Sequence, residues 1–192
     1  MNNGQQGGTI EAGFSAHLRA IRSPLVLLSV IVVLLIGFIL WAHGQLPARV
    51  AVHFNGSGIP DRWSGKGELT GVTLLIVVLL FAQFSVGAIL ARNVPVKWWN
   101  LPNRDYWLAP ERSGQTMMTV AKALLHIGIV TLILIGYLYW DAVQANLTRP
   151  DHRIQVGPVT IAAFAVIILI LTIRMTLKFA RFPEPNDDGS SD

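Results

Sequence analysis

Four long apolar runs constrain this chain more than anything else in it. They are Leu25–Ala42, Gly71–Ala91, Val120–Tyr139 and Val156–Ile173. Each has about the 17–25 residues a helix needs to cross a hydrocarbon core of ~30 Å. Backbone N–H and C=O groups find no partner in lipid, so a run of this length has to close its hydrogen bonds within itself, as a helix. Composition supports the same reading. Charged residues make up 14% of the 192 residues and the mean hydropathy is +0.50, whereas a soluble domain carries about 25% charged residues. The first run follows Arg19 and Arg22 and ends near Ala42-His43-Gly44, which faintly resembles a signal-cleavage site. Its apolar core exceeds the ~7–15 residues of a signal h-region, so it reads as a retained signal anchor.

Charge placement predicts an orientation. Arg19, Arg22, Arg92, Lys97, Arg104, Arg112, Lys122, Arg174, Lys178 and Arg181 fall on one side of the expected spans, and Arg49, Arg62, Lys66, Arg149 and Arg153 on the other. The positive-inside rule then puts both termini in the cytoplasm and the first and third loops outside. The net charge of +4 is gathered at span ends rather than in a stripe, which argues against nucleic acid as a partner. With no cysteine present, disulfides, thiol chemistry and cysteine metal sites are excluded. The expected organisation is a cytoplasmic segment 1–24, a four-span domain 25–182 and a disordered acidic tail 183–192. Met1–Gly8, rich in Asn, Gln and Gly, reads as unstructured. Phe14, Leu18 and Ile21 recur at helical spacing, which fits either an interfacial helix or an extension of the first span back past Pro24.

Within the spans, His126 is the residue to explain, with Lys122 one turn earlier on the same face. Gln83 and Ser85 are candidate hydrogen-bond partners, which would make His126 a polar link between the second and third spans. No Asp or Glu falls inside the four runs, which argues against a proton relay and so against a proton-coupled transporter. The second loop, Val94–Arg112, carries Trp98, Trp99, Tyr106 and Trp107, rings that favour the headgroup layer. It reads as an aromatic anchor or as a docking surface for a membrane or cytoplasmic protein through Asn103, Arg104, Asp105, Glu111 and Arg112.

The first loop, VAVHFNGSGIPDRWSGK from Val50 to Lys66, is the chemically richest stretch. Val50, Val52 and Phe54 alternate with Ala51 and His53 as in a half-buried strand. Asn55-Gly56-Ser57-Gly58 supplies turn residues. Arg153–Gly157 shows a similar alternation and is expected to pair with Arg49–Phe54. Three chemistries compete here. A zinc site would recruit His43, His53, Asp61, Asp151 and His152, but their spacing matches no compact metal motif. A hydrolase would set Ser57 or Ser64 beside His53, yet both serines lie in turn sequence. Recognition of a peptide or lipid headgroup by an ordered, aromatic-edged loop is the third. Asn55-Gly56-Ser57 and Asn146-Leu147-Thr148 match the glycosylation acceptor pattern, which matters only in a eukaryotic secretory pathway.

Leu46-Pro47, Val50, His53-Phe54-Asn55, Gly58, Pro60-Asp61, Trp63 and Lys66, at these spacings, resemble the bacterial membrane domain of SdpI-type immunity proteins. The run Asn100–Arg112 is similar to a segment that accompanies that domain in many four-span members. The resemblance implies a multi-pass protein of the bacterial plasma membrane with the His-Phe-Asn loop outside. It also implies immunity to, or signalling of, a secreted toxin peptide, although the best-understood relatives have further spans. The expectation is therefore an all-α integral membrane protein, a four-transmembrane-helix bundle with a small β-containing outer loop cap. It is expected to be non-enzymatic, without cofactor or metal. His53, Asn55, Asp61, Trp63 and Lys66 are the expected ligand-binding residues, and a structural or accessory subunit of a membrane complex or transporter is the alternative role.

Overall fold

The computed structural model describes residues 3–156 and 158–181, with side chains from Phe14 onward apart from Pro158. The expected tail 183–192 and Gly157 lie outside the described residues. Five α-helices and one two-stranded sheet follow along the chain: α1 (Asn3–Gln45), β1 (Arg49–Phe54), β2 (Pro60–Gly65), α2 (Lys66–Leu90), a one-turn α3 (Arg104–Trp107), α4 (Pro110–Leu147) and α5 (Pro158–Ala180). Two 3₁₀ turns, Ala91–Asn93 and Val96–Trp98, lie between α2 and α3. Four helices are long and apolar enough to cross a membrane, within Phe14–Gln45, Lys66–Asn93, Pro110–Leu147 and Val159–Ala180. They contain the four apolar runs almost entirely, and each extends past its run. Extension is inexpensive because adding a residue to an existing helix costs far less than starting one.

At its beginning α1 departs from expectation. The helix starts at Asn3, so most of Met1–Gly8 is helical rather than unstructured, and it continues unbroken through Pro24. Proline removes one backbone hydrogen bond. Contacts on both sides of Pro24 hold the axis: His17 Nε2 donates to Ala88 O at 2.9 Å, and Ile21 and Leu28 are fully buried. The shift at α5 has a different cause. Pro158 opens the helix in its first turn, and Arg174 and Lys178 lie inside it rather than beyond its end. Long cationic side chains reach polar surroundings from within an apolar helix, so they need not terminate it.

The core is made by α1, α2 and α4. On α1 the buried apolar positions are Ile21, Leu28, Val32, Leu35, Ile39 and Ala42, with Leu46 following just past the helix end. From Leu28 on, the alternating steps of four and three are the seam of helices packed side by side. Small residues set the closest approaches, as expected where lipid supplies no hydrophobic drive for helices to associate. A Cβ on Gly128 would lie 2.7 Å from the Phe84 ring, and one on Gly136 would lie 3.2 Å from Leu35 Cδ1. Outside this core stands α5, whose apolar window has no buried residue.

The faces of α4 separate residues that the sequence reading joined. Gly128 faces α2, and His126, two residues earlier, projects from roughly the opposite side of the helix. His126 is exposed and donates from Nδ1 to Lys122 O of its own helix at 2.7 Å. Gln83 is exposed on α2, and Ser85 is buried with no partner for its hydroxyl. His126 therefore does not link α2 to α4.

Candidate functional site

The connections alternate between the two ends of the bundle, and the hairpin end is the more elaborate. There β1 and β2 pair antiparallel, with Arg49 opposite Gly65, Val50 opposite Ser64 and Ala51 opposite Trp63. The register slips on both sides of His53, leaving Val52 and Asp61 without an opposite residue. Bulges re-aim side chains, and here His53 Nδ1 meets Asp61 Oδ1 across the hairpin at 2.6 Å. Both side chains are well exposed, at 64% and 44%. Such a pair contributes at most about 1 kcal/mol to stability, so the pair does not hold the hairpin.

What does hold it is less conspicuous in the sequence. Asn55 closes the tip: its Oδ1 accepts from Ser57 N at 2.9 Å and Ile59 N at 3.1 Å, and its own N–H donates to Ile59 O at 2.9 Å. Lys66 ties off α1 by donating to the carbonyls of His43 at 3.0 Å and Leu46 at 3.1 Å. A cation is favoured there because the last helical carbonyls lack intrahelical partners. Two of the five expected ligand-binding residues, Asn55 and Lys66, are thus occupied in shaping the loop. His53, Asp61 and Trp63 present their groups outward. Beside them Glu68, in the first turn of α2, accepts from Arg62 at 2.6 Å and from the Ser64 hydroxyl.

The pairing expected between Arg153–Gly157 and β1 does not form. The edge of β1 is taken by one side chain instead. Asn146 Oδ1 accepts from Ala51 N at 2.8 Å, and Asn146 Nδ2 donates to Ala51 O at 3.1 Å. One amide thus stands in for one residue of a neighbouring strand. Asn146 is 7% exposed, so the glycosylation-type match at Asn146 is a buried structural amide. The N–H groups that a third strand would have offered are taken by Asp141, whose Oδ2 accepts from Gln155 N at 2.7 Å and Val156 N at 2.8 Å. Arg149 meets Asp141 Oδ1 at 2.6 Å, and the carboxylate is nearly inaccessible.

The third loop, described over residues 148–156 between α4 and α5 and stapled in this way, is pressed onto the hairpin tip. Ile154 N donates to Gly58 O at 3.0 Å. Gly58 has φ +74°, and a Cβ there would lie 2.7 Å from Ile154 O, so the position requires glycine. The Trp63 ring meets His152 edge to face at 5.0 Å. The sequence reading did not single out Asp141, and it took Asn146 only as a glycosylation-type match and Arg149 only as a charge in the orientation count. Asp141 follows the third apolar run by only two residues, and a carboxylate at the edge of a span is the signal that could have found it. Of the zinc candidates, His43 Nδ1 lies 2.8 Å from Thr70 Oγ1, His53 is on Asp61, and Asp151 pairs with Arg153 at 3.6 Å. Among the described residues no three His, Asp or Glu side chains gather to hold a metal.

At the opposite end, loop two caps α5. Asn103, at φ 52°, donates from Nδ2 to Phe179 O at 3.1 Å and Ala180 O at 3.0 Å. Trp107 Nε1 adds a 2.7 Å bond to Phe179 O, and its ring meets Phe179 edge to face at 5.5 Å. Arg112 donates from Nε to Tyr106 O at 2.9 Å and lies 4.0 Å from the Tyr106 ring centre. Of the residues expected to meet a partner here, Asn103 and Arg112 build the loop, while Arg104, Asp105 and Glu111 are exposed.

Fold and cap together define a class: a chain with the make-up of a multi-pass membrane protein, carrying a clipped β-hairpin at one end of its bundle. The family model described as "Domain of unknown function (DUF1648)" matches residues 30–80, a stretch that takes in most of the first span, the whole hairpin and the start of α2. No curated protein and no solved structure matches the chain.

Proposed function

We propose that this is a non-enzymatic protein of the bacterial plasma membrane that senses, or gives immunity against, an extracellular ligand of the toxin-peptide kind. The hairpin cap faces outward in this reading, with both termini in the cytoplasm. The observation that carries it is the division of labour in the cap. Buried Asp141 and Asn146, together with Asn55 and Lys66, fix the backbone. The polar groups of His53 and Asp61 and the edge of Trp63 are left exposed. Exposed chemistry on a preorganised scaffold lowers the entropic cost of binding, and a loop serving only as a tether has no need of one. The SdpI-like spacing of the same residues supports the reading, as does the basic bias of the opposite end.

In the direct test, the gene is deleted and cells are challenged with the peptides secreted by their own population. Deletion is expected to sensitise them. His53→Ala and Asp61→Ala are expected to insert normally and fail to restore protection, and full protection by both variants would remove the cap from recognition. A second reading, an accessory subunit of a membrane complex, is favoured by α5, whose apolar window has no buried residue. In that case the same variants leave resistance unchanged, and co-purification with a membrane partner depends on α5.

A further inference from the structure

At the end of the bundle away from the hairpin, a groove of about 440 Å³ lies between α4 and α5. Lys122 and His126 of α4 and Arg174 and Lys178 of α5 line it, with Leu171 and Met175 as its apolar wall. A second groove of about 310 Å³ shares Thr119 and Lys178 with the first and continues toward Arg112. Among the described residues no acidic one lines either groove. Among the described residues, none of Lys122, Arg174 and Lys178 is paired with a carboxylate. Lys178 Nζ lies 3.5 Å from Thr119 Oγ1 across the two helices here.

The arrangement is unusual for its depth. Lys178 lies in the last turn of α5, but Arg174 is one turn and His126 about two turns further into the bundle. Cations set into an apolar helix face are costly unless a counter-charge meets them. A cluster of three cationic side chains, with no acid between them among the described residues, invites an anion of concentrated charge. Its position between two helices at the polar–apolar boundary, above Leu171 and Met175, suits an anion that carries a hydrocarbon chain. We propose that this groove binds an anionic phospholipid, its phosphate held by Lys122, Arg174 and Lys178 and its acyl chain lying along Leu171 and Met175. The lipid would also fill the gap left where α5 stands off the core. Basic pockets between membrane helices recognise lipid phosphates by this chemistry.

Native mass spectrometry tests the site, using the full chain released from micelles containing equal amounts of phosphatidylglycerol and phosphatidylcholine. Retention of phosphatidylglycerol in preference to phosphatidylcholine is expected. Arg174→Gln/Lys178→Gln should lower the phosphatidylglycerol-bound fraction about tenfold, and Lys122→Gln alone should lower it about threefold. All three residues are exposed, so these variants should unfold at the native temperature in phosphatidylcholine. Arg174→Lys/Lys178→Arg keeps the charges and should keep the lipid. Arg19→Gln/Arg22→Gln removes the same charge from the same end and should change binding by less than about twofold. An equal loss in that control would show a diffuse field and overturn the site. So would inorganic phosphate binding to lipid-free protein and displacing phosphatidylglycerol, since the ligand would then be the free anion.

Discussion

At the scale of single residues, the cap depends on two buried side chains that offer nothing to a ligand. Asn146 serves both backbone groups of Ala51. Asn146→Ala leaves a buried N–H and C=O unpaired and should cost about 2 kcal/mol, read as thermal unfolding in detergent. Hydrogen exchange at Ala51 should rise with it. Asn146→Asp accepts from Ala51 N but cannot donate to Ala51 O, so it should recover only part of the loss. Asp141→Ala removes three contacts and strands Arg149. Breaking one side of a buried pair should cost about 3–5 kcal/mol. Asp141→Ala/Arg149→Met should be less damaging than Asp141→Ala alone, because no charge is left buried without a partner. By contrast His53→Ala and Asp61→Ala should unfold within about 1 kcal/mol of the native chain, which makes them clean probes of recognition.

At the scale of elements, helix packing depends on how closely α4 approaches its neighbours. The two glycines on its inner face predict opposite outcomes. On Gly128 a methyl meets the rigid Phe84 ring at 2.7 Å, and α2 must move. Overpacking of this kind costs about 1–3 kcal/mol. On Gly136 the methyl meets the end of the flexible Leu35 side chain at 3.2 Å. There Leu35 can yield, and alanine's better helix propensity, about 1 kcal/mol over glycine, should leave Gly136→Ala neutral or stabilising. Melting curves of the two variants in one detergent check the contrast. None of this packing was legible in the sequence. Most of the spanning stretches of α1, α2 and α4 are apolar on every side, so hydrophobicity does not tell a lipid-facing residue from a core one. The spans themselves were legible, because run length alone decides them. Of the hairpin, the first strand and its Asn-Gly turn were legible from the alternation and the turn residues, but the return strand Pro60–Gly65 was not read as one. The partner expected for β1 was misread, because alternation in Arg153–Gly157 carries no sign that Asp141 has already taken the N–H groups at Gln155 and Val156.

At the scale of the whole molecule, the two ends are built for different chemistry. The hairpin end is a closed, hydrogen-bonded cap with an exposed ion pair. The other end carries loop two and the cation-lined groove between α4 and α5. Of the recognition set read from the sequence, the chemistry was visible but the assignment was not. Asn55 and Lys66 looked as available as His53 and Asp61, because only the folded backbone shows which polar groups are already occupied. The central claim, a cap presented to the outside, is tested most directly by cysteine accessibility, since the chain has no cysteine of its own. Ser57, at the exposed hairpin tip, and Asp105, whose side chain is 94% exposed in loop two, are replaced one at a time by cysteine. Intact cells are then treated with a membrane-impermeant maleimide. The account predicts that Ser57→Cys is labelled at once and Asp105→Cys only after permeabilisation; the reverse pattern would contradict it.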